Sequence, residues 1–338
     1  MQPKAGNHVP HMKTNAMLIA AFCLVLWSTG CNNRNPGANH QAPPAVQKKW
    51  RVAFIANNAN DYWSIVRLGC DTAVRQLGDV DLNFRSPEDR TAAGQQQILK
   101  EVMADGVDAI AISPVDANLL TESLDAIPTN VMLVCADSDA EKSRRVCYIG
   151  TDNVAAGGQA ADLLKAALPQ GGKVVLFVSH TSAQNVAERI EGIQSGLAGS
   201  NLQIAEIIED NSENTMAQKN AEDTLAKYPD LAAMVGLNSY TGPAILLAAR
   251  SAGKAGKVQI VCFDDDNDTL AGIRTGGIYG TIVQRPFSIG HQTILAIEKY
   301  LQGGQSRLAD GKHFISTQVV DKNNVATFEK FQQDYLDQ

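Results

Sequence analysis

The sequence predicts an α/β protein with two similar lobes, each built around a parallel β-sheet. Six short runs of consecutive apolar residues lie between residues 50 and 265, and segments with helical spacing separate them. Apolar runs without alternation are typical of parallel strands that helices cover on both faces. Three of these units precede residue 150 and three follow it, so the pattern predicts two α/β halves.

The six apolar runs are predicted to be strands. In chain order they are Val52–Ala56, Ala109–Ser113, Val131–Ala136, Lys173–Ser179, Ala232–Leu237 and Val258–Phe263. A helix is predicted between the fourth and fifth runs, because Val186, Ile190, Ile193 and Leu197 fall on one helical face.

Three later segments are interpreted as passages of the chain between the lobes, and hence as a hinge. They are Arg145–Gly158, Gly280–Gly290 and Phe314–Asn324. The expected first lobe is therefore 50–151 plus 285–314, and the expected second lobe is 152–284 plus 315–338.

The first thirty residues have the form of a secretory signal peptide. Lys13 precedes an apolar run, Ala16–Trp27, that is too short to span a bilayer comfortably. The letters STGC, ending at Cys31, resemble a bacterial lipobox with Ser28 in place of the usual Leu. We expect Cys31 to be lipidated; the alternative is an ordinary signal peptide in which this Cys is incidental. Residues 31–49 are predicted to be a flexible tether that holds the protein at the membrane, in the periplasm or cell envelope.

Composition and motifs exclude several functions. The chain has 29 basic and 36 acidic residues, a net charge of −7, and no basic cluster. We therefore expect no nucleic-acid partner, and contact with the membrane through the lipid anchor only. The sequence contains no nucleophile–base pair, phosphate-binding loop or dinucleotide fingerprint, so neither an enzyme nor a cofactor is expected.

No metal site is predicted from the Cys and His spacing. The acidic run Asp264–Asp268 lacks the Gly and the distal Glu that calcium loops need, so helix capping by Asp266 or Asp268 is preferred. Cys135 and Cys147 flank one loop and could form a disulfide in an oxidising compartment. Both lie in apolar runs, which favours buried free thiols.

A short polar side chain ends or directly follows each predicted strand. These residues are Asn57, Ser113, Asp137, Ser179, Asn238 and Asp264. Ligands of parallel α/β sheets bind beyond the carboxyl ends of the strands, so the six positions predict one binding cleft. After the first strand, Asn60 precedes Tyr62 and Trp63. A helix cap with packed aromatics is the simplest explanation of that stretch taken alone.

Six motifs give the chain a family resemblance: NANDYW, ADSDAEKSRRVCYIGTDNVAAGG, NVAERIEGI, YPDLAAMVGLN, VCFDDD and TIVQRP. In their order and spacing the chain resembles the periplasmic sugar-binding proteins of ABC transporters, of the ribose-binding type, from about Val52 to Val320. The resemblance implies the type I periplasmic binding protein fold: two Rossmann-like lobes with parallel sheets, a three-strand hinge, and a cleft that closes on ligand by hinge bending.

The resemblance also implies roles for individual residues. Asn60 would bond sugar hydroxyls, Tyr62 and Trp63 would pack on the sugar ring, and Asp137 with Arg189 would take hydroxyls in pairs. The remaining implied positions are Asn238 and Asp264 on the second lobe, Gln284 at a crossing, and Asp152 with Asn153 at the hinge.

We add Asn57, Ser113 and Asp139 to the expected ligand contacts. Asp139 belongs to the run Asp137-Ser138-Asp139, which stands where ribose-type proteins have Asp-Arg and looks like that of relatives that bind other sugars, polyols or a furanosyl autoinducer. A second departure is the polar run Asp210–Ser212, where the family would place an aromatic over the ligand. Both departures point away from ribose itself.

These residue types suit a sugar, whose hydroxyls donate and accept hydrogen bonds and whose C–H faces are apolar. Acidic candidates outnumber the one cation, Arg189, which disfavours an anionic ligand. We therefore expect a monomeric extracytoplasmic protein that captures a neutral sugar or polyol for an ABC permease. The alternative is a receptor that presents its ligand to a sensor kinase or chemoreceptor.

Overall fold

The first apolar run, β1 (Trp50–Ile55), lies inside a parallel sheet and is buried on both faces. The computed structural model describes residues 49–303 and 311–336. The other strands of this first sheet are β2 (Val80–Arg85), β3 (Ala109–Ile112), β4 (Met132–Ala136), β5 (Cys147–Gly150) and β11 (Gly311–Phe314). Their order is β11-β5-β4-β3-β1-β2, and every neighbouring pair is parallel.

The second sheet repeats this arrangement with one change. Its strands are β6 (Gly172–Val178), β7 (Leu202–Glu209), β8 (Leu231–Gly236), β9 (Gln259–Phe263), β10 (Gly280–Val283) and β12 (Gln318–Asp321). The order is β12-β10-β9-β8-β6-β7, so each strand has a counterpart in the first sheet. All neighbours are parallel except β12, which runs antiparallel to β10.

Helices cover both faces of each sheet, which explains the continuous apolar strands. They are α1 (Asp61–Leu77), α2 (Ala92–Asp105), α3 (Ala117–Asp125), α4 (Asn153–Ala167), α5 (Gln184–Leu197), α6 (Asn214–Lys227), α7 (Thr241–Ser251), α8 (Asn267–Thr275), α9 (Pro286–Leu301) and α10 (Val325–Leu336). On the first sheet, Val52 and Phe54 face α1 and α9, whereas Ala53 and Ile55 face α2 and α3. On the second, α4 and α5 cover one face, and α6, α7, α8 and α10 cover the other.

Each sheet with its helices forms a lobe, and the chain passes between the lobes three times. The passages are residues 151–152, 284–285 and 315–317. Both lobes belong to one compact unit, Gln47–Gln338. The expected signal peptide, the lipidation site at Cys31 and the tether up to residue 48 lie outside the described residues.

The predicted fold class is confirmed, and the six predicted strands correspond to β1, β3, β4, β6, β8 and β9 within two residues at each end. The edge strands β2 and β7 were not predicted. They are only partly buried along most of their length, so polar residues interrupt their apolar pattern.

Glycines let two pairs of helices approach closely. A Cβ on Gly69 of α1 would lie 2.1 Å from the carbonyl oxygen of Phe287 of α9. A Cβ on Gly157 of α4 would lie 2.2 Å from the carbonyl oxygen of Arg189 of α5. These helix pairs occupy corresponding places in the two lobes, and each depends on a residue without a side chain.

The cysteines of the described residues are buried and free, as the apolar context of Cys135 and Cys147 indicated. Cys147 pairs in register with Val134, so the two thiols lie on opposite faces of the first sheet and contact different core clusters. Burial raises the pKa of Cys147 to about 11 and that of Cys262 to about 12. All of these thiols therefore stay protonated at neutral pH.

Candidate functional site

One cavity, which we call the inner cavity, lies at the carboxyl ends of both sheets. The space between its lining residues, including the mouth open to solvent, is about 550 Å³. Nine of the expected ligand contacts line it: Asn57, Asn60, Tyr62, Trp63, Asp137, Arg189, Asn238, Asp264 and Gln284. Ser113 and Asp139 do not.

Two buried carboxylates enter the inner cavity from equivalent positions. Asp137 follows β4 and Asp264 follows β9, and these strands correspond in the two sheets. Both residues have left-handed backbones, with φ of 67° and 68°. Each backbone N–H donates to the neighbouring strand, Asp137 to Ile149 at 3.0 Å and Asp264 to Ile282 at 2.8 Å. Non-glycine residues held in this conformation cluster at functional sites.

Asp137 is held by donors from both lobes. The Tyr62 hydroxyl donates to Oδ1 at 2.7 Å, and the Ser113 hydroxyl donates to Oδ2 at 3.0 Å. Asn185 of α5 donates to Oδ2 across the cleft at 3.5 Å. Burial raises the pKa of Asp137, although the hydrogen bonds from Tyr62 and Ser113 and the nearby Arg189 oppose the shift. Ser113 is fully buried and acts behind the carboxylate.

Hydrogen bonds link Asp264 to two of the passages between the lobes. Gln284 Nε2 donates to Asp264 Oδ1 at 2.9 Å, and the Thr151 hydroxyl donates to Gln284 Oε1 at 2.8 Å. Residues 151 and 284 belong to two different passages between the lobes. Burial raises the pKa of Asp264 to about 7, although Arg189 and Gln284 stabilise the ionised form.

Arg189 is buried and fixed, with 1% of its surface exposed. Its Nε donates to Asn153 Oδ1 at 3.0 Å, its Nη1 donates to the Leu237 carbonyl at 2.6 Å, and its guanidinium lies 4.4 Å from the centre of the Phe263 ring. Its Nη2 has no acceptor within the described residues. Because a buried unpaired donor is costly, this nitrogen is suited to an acceptor on a ligand. Asp152, expected at the hinge, caps α4 through its side chain.

The aromatic wall is built at the start of α1. Trp63 Nε1 donates to Asn57 Oδ1 at 2.9 Å, and Tyr62 meets Trp63 edge-on at 5.5 Å between ring centres. Asn60 is the N-cap of α1, where its Oδ1 accepts from the Trp63 N–H at 3.4 Å. The cap explanation is therefore correct for Asn60. The residue also lines the inner cavity, so one side chain serves the helix and the site.

Asp139 differs from the expectation that it contacts ligand. It is buried in an ion pair with Arg145, whose Nη2 donates to Asp139 Oδ2 at 2.6 Å, and Arg145 Nε donates to Oδ1. The left-handed backbone at Asp137 turns the chain, so two carboxylates spaced two residues apart point to different places. Asp266 caps α8, as preferred, and the described residues contain no cluster of three metal-ligating side chains.

Sequence reasoning missed several lining residues. Asn185 lies four residues before Arg189, on the same helical face, and this spacing could have revealed it. His180 follows the end of β6 and also lines the inner cavity. Tyr240 also lines it, two residues after Asn238, and supplies an aromatic ring on the second lobe. No sequence pattern marked this tyrosine.

Two α/β lobes with a polar and aromatic cavity between them define a ligand-binding protein. The model of the periplasmic binding protein domain family matches residues 52–305, and the chain belongs to this family. It is a type I periplasmic sugar-binding protein. Its relatives are substrate-binding proteins rather than enzymes, and this chain is a substrate-binding protein as well. Among residues 49–303 and 311–336, no helix has the length and apolarity needed to cross a bilayer.

Similar proteins bind sugars. The ribose import binding protein of Bacillus subtilis is 24% identical over 294 residues, 86% of this chain and 94% of that protein. The D-ribose/D-allose-binding protein of Pseudomonas aeruginosa is 24% identical over 278 residues, 79% of this chain and 85% of that protein. An ABC transporter solute-binding protein from Burkholderia graminis, solved with D-arabinose, is 28% identical, has a TM-score of 0.77, and is matched over 83% of this chain and 98% of its own.

Proposed function

We propose that this protein captures a neutral sugar or polyol in the inner cavity and delivers it to an ABC transporter permease. The observation that carries the proposal is the meeting of two buried carboxylates and one guanidinium, Asp137, Asp264 and Arg189, beside an aromatic wall. Carboxylates accept from hydroxyls, a guanidinium donates to them, and aromatic faces bury C–H surface.

Charge supports a neutral ligand. The inner cavity holds two carboxylates against one guanidinium, so an anionic ligand would meet net repulsion. Curated relatives include ribose- and allose-binding proteins, and a solved relative was crystallised with D-arabinose. These names support a small sugar as the ligand class.

Ligand would favour the closed arrangement of the lobes, because Asp137 lies on one lobe and Asp264 and Arg189 lie on the other. A sugar that bonds to all three shifts the population towards closure. The permease would recognise the closed form. We further propose that Cys31 is the lipid anchor and that Asp152 and Asn153 adjoin a hinge passage. The extracytoplasmic location of the family supports the anchor.

A sensing role is the second candidate. One structural neighbour, 25% identical with a TM-score of 0.75, was solved as the XylFII–LytSN complex. A two-protein complex of this fold supports a receptor that presents its ligand to a partner other than a permease.

A thermal-shift screen of residues 47–338 tests the ligand class. The panel contains D-ribose, D-allose, D-arabinose, D-glucose, D-galactose, inositols, sugar alcohols and a furanosyl autoinducer. A compound at about 100 times its dissociation constant should stabilise the fold by roughly 2.7 kcal/mol. Asp264→Ala should abolish the shift, and substitution of an exposed acid at the start of α8, Asp268→Asn, should retain it. A response to anionic compounds alone would overturn the proposal.

A further inference from the structure

The inner cavity continues into a second, larger cavity, which we call the antechamber. Its volume, including open solvent, is about 1150 Å³. Four residues line both spaces: Asn58, Asn60, Ser212 and Tyr240. The other residues of the antechamber are Glu88, Asp89, Arg90, Asn211, Glu213, Asn214 and Thr215. A ligand group that left the inner cavity by this route would pass between these shared residues into a polar space.

Tyr240 is the bulkiest of the four shared residues, and its position is fixed. Its hydroxyl donates to Asp210 Oδ1 at 2.6 Å, and Asp210 is 1% exposed. The same carboxylate oxygen accepts from the Ser212 N–H at 2.9 Å. The ring therefore cannot swing away from the boundary between the two cavities without breaking a hydrogen bond to a buried carboxylate.

The loop that carries this carboxylate is also tied to the first lobe. Asn211 and Ser212 both have left-handed backbones, with φ of 54° and 62°. This turn presents the Ser212 carbonyl to the first lobe, where Arg90 Nη1 donates to it at 2.5 Å. The contact spans the antechamber. Hydrogen bonds therefore connect Tyr240, through Asp210 and the Ser212 loop, to Arg90 of the first lobe, along the boundary between the two cavities.

We propose that Tyr240 determines specificity by limiting the ligand to an unsubstituted sugar or polyol ring, and that Asp210 is its positioning residue. The proposal rests on the function proposed above and names its substrate class more narrowly. With the tyrosine ring in place, a glycosidic substituent that points from the inner cavity towards the antechamber would meet the ring. Without the ring, the inner cavity and the antechamber become one space, and the polar antechamber can accept the substituent.

The first test needs no ligand. Trp63 lines the inner cavity and is 4% exposed, so its fluorescence reports entry of a small quencher. In the full chain, the substitutions Trp27→Phe and Trp50→Phe leave Trp63 as the single tryptophan. In this background, acrylamide quenching should rise severalfold for Tyr240→Ala. Tyr228→Ala, a tyrosine of the same lobe outside the cavity, is the matched control and should not change quenching.

The positioning role predicts a graded series. Tyr240→Phe keeps the ring and loses the hydrogen bond, so quenching should lie between the wild type and Tyr240→Ala. Asp210→Ala should match Tyr240→Phe, and Asp210→Asn, which retains an acceptor oxygen, should restore the wild-type value. Equal quenching in the wild type and Tyr240→Ala, or an equal rise in Tyr228→Ala, would contradict the proposal that Tyr240 separates the two cavities.

The second test uses D-ribose, D-arabinose, D-glucose and D-galactose, each paired with its methyl α- and β-glycosides. For a sugar that stabilises the wild type, Tyr240→Ala should lose about tenfold in affinity, as expected for one aromatic contact, and should gain binding to a glycoside. Wild-type binding of a glycoside as tight as that of its parent sugar overturns the specificity role. If no sugar in the whole panel binds the wild type, the proposed function fails, while the quenching series still decides whether Tyr240 separates the cavities.

Discussion

Asp264→Asn should stabilise the ligand-free protein above pH 7, although it removes a proposed ligand contact. Burial raises the pKa of this carboxyl from 3.8 to about 7, and that shift already includes the attraction of Arg189. Asn resembles the protonated acid and keeps an oxygen to accept from Gln284. The substitution therefore removes a charge that the fold accommodates at a cost.

The magnitude follows from the pKa shift. Each pKa unit corresponds to about 1.36 kcal/mol, so the ionised carboxylate costs up to roughly 4 kcal/mol of folding stability. Well below its unfolded pKa of 3.8 the carboxyl is protonated in both states and contributes nothing. As the pH rises from about 4 to about 7, the unfolded chain loses the proton first, and the free energy of unfolding falls. Above pH 7 the full cost is present.

Urea unfolding of ligand-free wild type and variant at pH 5 and pH 8 measures this cost. The stability gained through Asp264→Asn should be larger at pH 8 by about 1–3 kcal/mol. The matched control is Asp268→Asn, an exposed acid of α8, which should show no such difference. A gain that is the same at both pH values, or a loss at pH 8, would refute the reasoning. At pH 8, where the wild-type carboxyl is ionised, the variant should bind its sugar roughly 10–100-fold more weakly, since a charged acceptor is lost.

Three further substitutions test the packing and the site. Gly157→Ala should destabilise the protein by about 2 kcal/mol or more in denaturant unfolding, because its Cβ meets a backbone carbonyl at 2.2 Å; its neighbour Gly158, where an added Cβ meets no atom within 4 Å, should gain up to about 1 kcal/mol as Ala. Asp139→Asn should cost about 3–5 kcal/mol of stability by leaving Arg145 without its charge partner. The sugar affinity of the Asp139→Asn variant, measured by calorimetry, should be unchanged. A loss of affinity as large as the loss of stability would show instead that Asp139 contacts the ligand. Arg189→Lys should weaken sugar binding about tenfold or more in the same assay, because a point charge cannot replace the fixed guanidinium.

The sequence predicted the parts of the fold that depend on burial. Strands covered on both faces, such as β1 and β9, are continuous apolar runs and were found within two residues. The edge strand β2 is only partly buried beyond its first residue, and its sequence alternates apolar and polar residues, so no continuous apolar run appears. Residues just past a strand could be placed at the cleft because parallel strands end together.

The positions of the other site residues depend on backbone conformation and loop geometry, which the sequence pattern does not show. Asp137 and Asp139 have the same residue type and lie two positions apart, but the left-handed turn at Asp137 sends only one of them into the inner cavity. Tyr240 reaches the cavity because a loop 30 residues earlier in the chain supplies its hydrogen-bond acceptor, Asp210. Neither the left-handed turn nor this hydrogen bond changes the hydrophobic periodicity of the sequence, so neither could be predicted from it.

The paired carboxylates at the ends of β4 and β9 have a consequence for the empty protein. Burial raises the pKa of both Asp137 and Asp264, so their loss of hydration exceeds the stabilisation that Arg189 gives them. We therefore expect closure of the lobes to be unfavourable when it takes further water from these carboxylates and no sugar hydroxyls replace that water. The groups suited to hold a sugar are therefore the same groups that should disfavour closure of an empty cleft.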